Sequence, residues 1–134
     1  MSSRTASCCC GQLSIQVEGE PRGIGICHCL ACQQRTGSVF AALATFSAPF
    51  KVFGTAAKYI RIGDQGAKFI FNFCPSCGAN VFHTEEGENE SVSVAVGSFA
   101  DPGFPAPLVS VYDIRRHPWV QLRPGMRAFD KDPT

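Results

Sequence analysis

The stretch FIFNFCPSCG, residues 69–78, joins a strand pattern directly to a pair of cysteines. Its phenylalanines occupy every second position, as in a β-strand with one buried face. Cys74 and Cys77 follow with two residues between them and Gly78 behind them. That spacing is typical of a zinc knuckle, which binds one metal ion with two thiolates. The stretch therefore predicts a strand that ends in half of a zinc site.

The other half of this site must come from a distant part of the sequence, because a closed structural zinc has four protein ligands. The cysteines nearest the N-terminus stand on a predicted turn before a strand and can supply the second pair. The predicted structural site is Cys8, Cys10, Cys74 and Cys77. It would stabilise a small β domain that buries little surface. Cys9 is expected to point away, and a redox dithiol is the alternative for the second pair.

Cys27, Cys29 and Cys32 form a separate trio of cysteines. Three protein thiolates match the ligand set of a catalytic zinc, whose fourth position stays open for water or an incoming thiolate. Two other interpretations remain open. The trio can complete a single zinc site that leaves the N-terminal cysteines free, or it can form a second structural site with His28 as fourth ligand. We expect His28 to point outward instead.

No general base stands out near the trio. His28 and Ser38 are close to it in sequence only. His83 and His117 are expected to be ordinary surface residues, since a lone histidine after a strand or before a proline is seldom a ligand. The sequence therefore predicts metal ligands more clearly than it predicts proton-transfer groups.

The composition fits one globular domain over residues 1–134, with 45% hydrophobic and 17% charged residues. The net charge of +1 lacks the basic excess of a nucleic-acid binder. No apolar run reaches the roughly 18 residues that a membrane span needs. Residues 1–7 carry no apolar export signal. We therefore expect a cytoplasmic protein whose eight cysteines are reduced, seven of them as metal ligands.

Alternating apolar residues predict a mainly β domain of small antiparallel sheets with few short helical turns. The best helix candidate is 30–35, ended by Gly37. The run 85–90 predicts a solvated acidic loop, and 129–134 predicts a frayed tail. The predicted strands are 12–18, 23–26, 39–46, 50–53, 59–62, 69–73 and 91–96, with weaker candidates at 109–114 and 119–122.

The order of the three cysteine motifs resembles that of the glutathione-dependent formaldehyde-activating enzyme family. The motifs are C-x-C-G at 8–11, C-x-C-x-x-C at 27–32 with T-G-S at 36–38, and F-C-x-x-C-G at 73–78. The segments VGSF at 96–99 and PW at 118–119 are also similar to the family's C-terminal part. The resemblance covers roughly residues 6–125.

This resemblance implies a β-tent fold around a structural zinc, and it implies a carbon–sulfur lyase that joins glutathione and formaldehyde into S-hydroxymethylglutathione. The small-molecule partner would be a thiol such as glutathione. A second zinc would sit at the trio, where it can be lost. The sequence departs from the family at Ser110, where members often carry a histidine, and at Asn72, where an arginine is common. The implied structural ligands are Cys8, Cys10, Cys74 and Cys77, and the implied catalytic ligands are Cys27, Cys29 and Cys32.

Two further functions deserve comparison with the lyase. A non-catalytic zinc module would bind a protein or small molecule through exposed aromatic residues such as Phe104 and Trp119. A methionine-R-sulfoxide reductase has a similar zinc-bearing fold and a free cysteine nucleophile. Such reductases carry two separated C-x-x-C pairs, whereas this chain has a C-x-C at the first position and a cluster of three cysteines.

Overall fold

The computed structural model describes residues 2–132 and is mainly β, with 44% strand and 11% helix. The predicted fold class is thereby confirmed. None of the helices in this described part has the length and apolar character that crossing a bilayer requires. The strands are β1 Ser3–Ser7, β2 Ser14–Glu18, β3 Gly23–Cys27, β4 Ala41–Ser47, β5 Phe50–Phe53, β6 Ala57–Ile62, β7 Lys68–Phe73, β8 Asn80–Glu85, β9 Glu88–Ala95, β10 Val109–Val111 and β11 Arg127–Ala128.

The described residues fall into two compact units, one drawn from 2–22 and 44–104 and the other from 23–43 and 105–132. The first unit contains the three-stranded antiparallel sheet β1-β2-β5. Its central strand buries Ile15 and Val17, which alternate with more exposed polar residues, as the sequence predicts. The sequence analysis missed β1, because only Ala6 of its five residues is buried and the rest are polar or small.

Five neighbouring strands of the larger, eight-stranded sheet lie wholly or partly in the first unit, in the order β4-β9-β8-β7-β6. The predicted strand of phenylalanines is β7, which pairs antiparallel with both β6 and β8. The turn between β7 and β8 is the predicted zinc knuckle. It is closed by hydrogen bonds from the Cys74 N–H to the Ala79 carbonyl at 3.0 Å and from the Gly78 N–H to the Cys74 carbonyl at 2.8 Å. A glycine suits position 78, because its φ is +78°.

The second unit contains the strands β11-β10-β3, and both of its strand pairs are parallel. The sequence predicts antiparallel pairing, so these parallel pairs are an addition to the predicted architecture. The helix α1, Leu30–Thr36, follows β3 and agrees with the prediction to within one residue. Gly37 ends it in the left-handed conformation at φ +71°, and its N–H binds the Gln33 carbonyl at 2.9 Å. Strand and helix together position the cysteine trio.

Three local predictions were wrong. The acidic run is a tight hairpin and not a loop, because β8 ends at Glu85 and β9 begins at Glu88. Residues 119–122 form no strand. The tail is hydrogen-bonded rather than frayed up to Lys131, since the Phe129 N–H donates to the Ser110 carbonyl at 2.8 Å. Residues 133–134 of that tail lie outside the described part of the chain.

Candidate metal centres

Four cysteine sulfurs of the first unit form a compact cluster. The sulfurs of Cys8, Cys10, Cys74 and Cys77 all lie within 4.8 Å of one another. Cys10 Sγ lies 3.7 Å from Cys8 Sγ and 3.7 Å from Cys74 Sγ. A tetrahedral zinc with Zn–S bonds of about 2.3 Å separates its sulfurs by about 3.8 Å. The cluster therefore has the spacing and donor type that a closed zinc site requires, and it contains all four sequence-predicted residues.

Two turns carry these ligands. The first follows β1, where the Cys8 N–H binds the Leu13 carbonyl at 2.9 Å and the Gly11 N–H binds the Cys8 carbonyl at 3.2 Å. Cys9 is exposed on this turn, and it is not part of the group of four sulfurs. The second is the knuckle between β7 and β8. Each turn contributes two sulfurs. The two turns belong to different sheets, so packing and not strand pairing brings both halves of the site to one place.

Hydrogen bonds favour the ionised form of Cys74, the most buried cysteine of the four-sulfur cluster. Burial acts to raise the pKa of the Cys74 thiol, but four hydrogen bonds outweigh it, the largest from the Gln12 side chain, and lower the pKa to about 6. The Gln12 amide donates to Cys74 Sγ at 3.1 Å, and the N–H groups of Ser76 and Cys77 donate at 3.3 and 3.4 Å. These hydrogen bonds thus favour Cys74 as a thiolate, which is the form of cysteine that binds metal.

Gln12 is a functional residue that the sequence analysis missed. Its side chain also binds the main chain of Thr55, accepting from the N–H at 3.0 Å and donating to the carbonyl at 2.7 Å. The neighbouring Gly54 has φ +92° and packs so closely on the Gln12 carbonyl that no side chain fits between them. Gln12 therefore connects the cluster to the segment after β5. No sequence signal marks it, because a lone glutamine has no characteristic spacing.

The second unit holds the predicted trio. The sulfurs of Cys27, Cys29 and Cys32 lie within 4.8 Å of one another, and no further His, Cys, Asp or Glu of residues 2–132 joins this group. Cys29 is the N-cap of α1, where its sulfur accepts the Cys32 N–H at 3.2 Å. The pKa of the Cys27 thiol is raised. The largest cause is a side-chain hydrogen bond with Cys29, the next is one with Cys32, and burial adds to both. A divalent cation bound between the three sulfurs would offset the repulsion between their thiolates. The donor set therefore fits a metal ion with one coordination position left open.

His28 does not complete that metal site and does not point outward as predicted. It is fully buried, its Nε2 lies 3.0 Å from Ser110 Oγ, and its ring packs on Phe40 with 5.5 Å between ring centres. Ser110 Oγ donates to Asp113 Oδ1 at 2.9 Å, so it accepts a hydrogen from His28. Arg116 Nε donates to the same carboxylate oxygen at 3.0 Å. Burial lowers the pKa of His28, which keeps the ring neutral.

Removal of the Ser110 hydroxyl tests this buried chain of hydrogen bonds. Ser110→Ala is expected to destabilise the protein by about 1–3 kcal/mol, because it leaves the N–H of His28 buried without an acceptor. The matched control is Ser38→Ala in the same unit, whose side chain is exposed. Urea unfolding at neutral pH measures both free energies of unfolding. Equal stability of the two variants would show that the His28–Ser110 contact contributes nothing.

The other predicted surface residues have more contacts than expected. His83 lies half-buried on β8 against Phe71, at 4.9 Å between ring centres. His117 is half-buried, and its Nε2 lies 2.8 Å from Gln33 Oε1. Phe104 stacks on Phe99 with ring centres 4.7 Å apart, whereas Trp119 is 69% exposed. Of the two aromatics suggested for a docking surface, only Trp119 is therefore strongly exposed.

Comparison with known proteins identifies the family of this chain. A crystal structure of a Rhodobacter sphaeroides protein is similar in fold, with a TM-score of 0.56 and 24% sequence identity, over 93% of this chain and 98% of that one. No curated protein matches this sequence. The profile of the glutathione-dependent formaldehyde-activating enzymes matches residues 3–115. Because that match spans most of the sequence and includes both cysteine clusters, the chain belongs to the glutathione-dependent formaldehyde-activating enzyme family.

Proposed function

We propose that this protein is a zinc-dependent carbon–sulfur lyase that joins glutathione and formaldehyde into S-hydroxymethylglutathione. Membership of the family supports glutathione-dependent formaldehyde activation at the family level. The observation that carries the finer proposal is the trio of sulfurs, which has three donors and no fourth among residues 2–132. In this proposal Cys27, Cys29 and Cys32 are the catalytic zinc ligands. The structural zinc ligands are Cys8, Cys10, Cys74 and Cys77.

The residues of the trio and its surroundings favour a thiol substrate. When bound there, zinc would supply an open Lewis-acidic position that accepts a substrate thiol as its thiolate. The helix α1 and the turn before it hold the cysteines in place, so a substrate bound beside them meets a fixed set of groups. Holding a thiol next to an aldehyde carbonyl converts a bimolecular step into an effectively unimolecular one.

Arg35 is the cationic side chain that contacts the trio. Its guanidinium Nη2 lies 3.9 Å from Cys32 Sγ. Three thiolates and a divalent cation carry a net negative charge, and a fourth thiolate would add to it, so a nearby guanidinium offsets unfavourable charge. It would also favour a substrate with carboxylates, such as glutathione. Arg116, another cation of the same unit, donates to Asp113 Oδ1 at 3.0 Å instead.

The test combines metal content with chemistry. Anaerobically purified wild type is expected to hold about two zinc ions per chain, and Cys29→Ser about one, with the fold retained. The wild type, unlike Cys29→Ser, should accelerate exchange between glutathione, formaldehyde and S-hydroxymethylglutathione, as measured by two-dimensional exchange NMR. Wild type that holds both metal ions at micromolar concentration without accelerating exchange would exclude this reaction.

The exposure of Trp119 favours a second function, a non-catalytic zinc module that binds a partner. Leu108 and Ile114 of the same unit are also exposed, at 65% and 60%. In that case Cys29→Ser should bind the partner as well as wild type does, provided that it folds. Trp119→Ala should weaken binding without any change in zinc content. Catalysed exchange in the NMR assay separates the lyase from this alternative.

We also infer that residues 1–134 act as a single zinc-binding domain in the cytoplasm. None of the eight cysteines is in a disulfide, and a reducing compartment keeps such thiols available for metal. The expected result for one domain is a single calorimetric transition of the zinc-loaded protein. Two well-separated transitions would indicate two independently folding parts.

A further inference from the structure

The side chain of Gln33 holds the imidazole ring of His117 in a defined orientation. Gln33 Nε2 donates to the main-chain carbonyls of His28 at 2.8 Å and Arg115 at 3.3 Å. These two acceptors identify the nitrogen end of the amide, so its oxygen faces His117 Nε2 at 2.8 Å. An amide oxygen only accepts hydrogen bonds, so Nε2 must carry the hydrogen of the imidazole.

The other ring nitrogen, Nδ1 of His117, consequently has a lone pair when the ring is neutral. The ring is half-buried and therefore accessible in part from solvent. It meets the edge of Trp119 with 6.1 Å between ring centres and 78° between the planes. Trp119 is itself 69% exposed, so the imidazole lies beside an exposed side chain.

Gln33 also links the imidazole to the cysteine trio. It follows Cys32 directly on α1, and the carbonyl that its amide binds belongs to His28, which lies between Cys27 and Cys29 in the sequence. A single amide side chain thus separates the ring from the loop that carries the trio. Hydrogen bonds thus join His117 to Gln33, and Gln33 to the main chain between Cys27 and Cys29.

The other two histidines cannot serve the trio in this way. His28 is fully buried, and its Nε2 is hydrogen-bonded to Ser110. His83 belongs to the first unit and packs on β7. Of the chain's three histidines, His117 alone combines partial exposure with a link to the trio.

We propose that His117 exchanges a proton with the thiol substrate, an inference that rests on the proposed function. The substrate thiol gives its proton to Nδ1 of His117, and the resulting thiolate then forms the sulfur–carbon bond to formaldehyde. The electron pair of the carbonyl π bond moves to oxygen, which then takes the proton back from the imidazolium. Atoms and electrons balance without a further co-reactant. A positioned acid–base group contributes about 10²–10⁴-fold to a rate.

The experiment compares His117→Ala and His117→Gln with wild type in the exchange NMR assay. Both variants should lose about 100-fold or more of the catalysed rate while retaining wild-type zinc content. Glutamine keeps an N–H that can donate to Gln33, so it preserves the contact but provides no base. Added imidazole should restore part of the rate of His117→Ala, which a purely structural role would not explain. His83→Ala is the matched control and should keep the wild-type rate.

Each possible result distinguishes this inference from the proposed function. An inactive wild type would overturn both. An active wild type with equally active His117 variants would overturn only the role of His117. A His117→Ala variant that keeps its zinc, loses its activity and does not respond to imidazole would show that the residue positions α1 and transfers no proton.

Discussion

Cys74→Ser is expected to abolish tight metal binding by the four-sulfur cluster and to unfold the first unit at room temperature. Cys74 is fully buried, and its sulfur accepts hydrogen bonds from Gln12, Ser76 and Cys77. Serine is shorter and does not ionise at neutral pH, so it cannot replace a thiolate ligand. Small zinc domains commonly depend on the metal for their folding free energy, because the unfolded chain has no preformed site.

Zinc content and circular dichroism measure this effect together. The variant should lose about one zinc per chain, and its thermal transition should disappear or become uncooperative. A strong chelator added to wild type should produce the same spectrum. Cys9→Ser is the control, because Cys9 is exposed beside the cluster and contributes no ligand. A folded Cys74→Ser protein with unchanged zinc content would contradict the structural role of the cluster.

Gly54→Ala is expected to destabilise the protein by about 2–5 kcal/mol. Gly54 has φ +92°, and a Cβ there would overlap the carbonyl of Gln12. The backbone must move, and Gln12 moves with it, which disturbs the hydrogen bond from its amide to Cys74 Sγ at 3.1 Å. The substitution should therefore also weaken zinc binding by the cluster.

The variant Gly66→Ala measures the cost of a left-handed backbone alone, without the steric overlap that is present in Gly54→Ala. Gly66 has a similar φ of +88°, but nothing lies within 4 Å of its added Cβ. Gly66→Ala should lower the free energy of unfolding by only about 1–2 kcal/mol, which is the penalty for a left-handed residue other than glycine. Urea unfolding gives both free energies, and competition with a chromogenic chelator gives the zinc affinities. If the two variants have equal stability, close packing of Gly54 on Gln12 has no energetic effect.

Much of the fold was predictable because its signals are local. The alternating residues of β2 and β7 and the knuckle at Cys74 and Cys77 are fixed by neighbours in the sequence. The strand β1 was not predictable, since its polar residues form a strand only through pairing with β2. The parallel pairing of β10 with β3 was missed for the same reason, because partners so distant in the sequence leave no local pattern.

The sequence by itself determined that the cysteines occur as local pairs and a trio, because cysteine spacing is a local property. Only the tertiary structure decided what surrounds those sulfurs. Gln12 meets Cys74 across 62 positions, and Gln33 meets His117 across 84. His28 illustrates the difference, since it was expected to point outward and is instead buried against Ser110, 82 positions away. Contacts of this kind depend on how the strands and turns pack, and packing brings together residues whose positions in the sequence are unrelated.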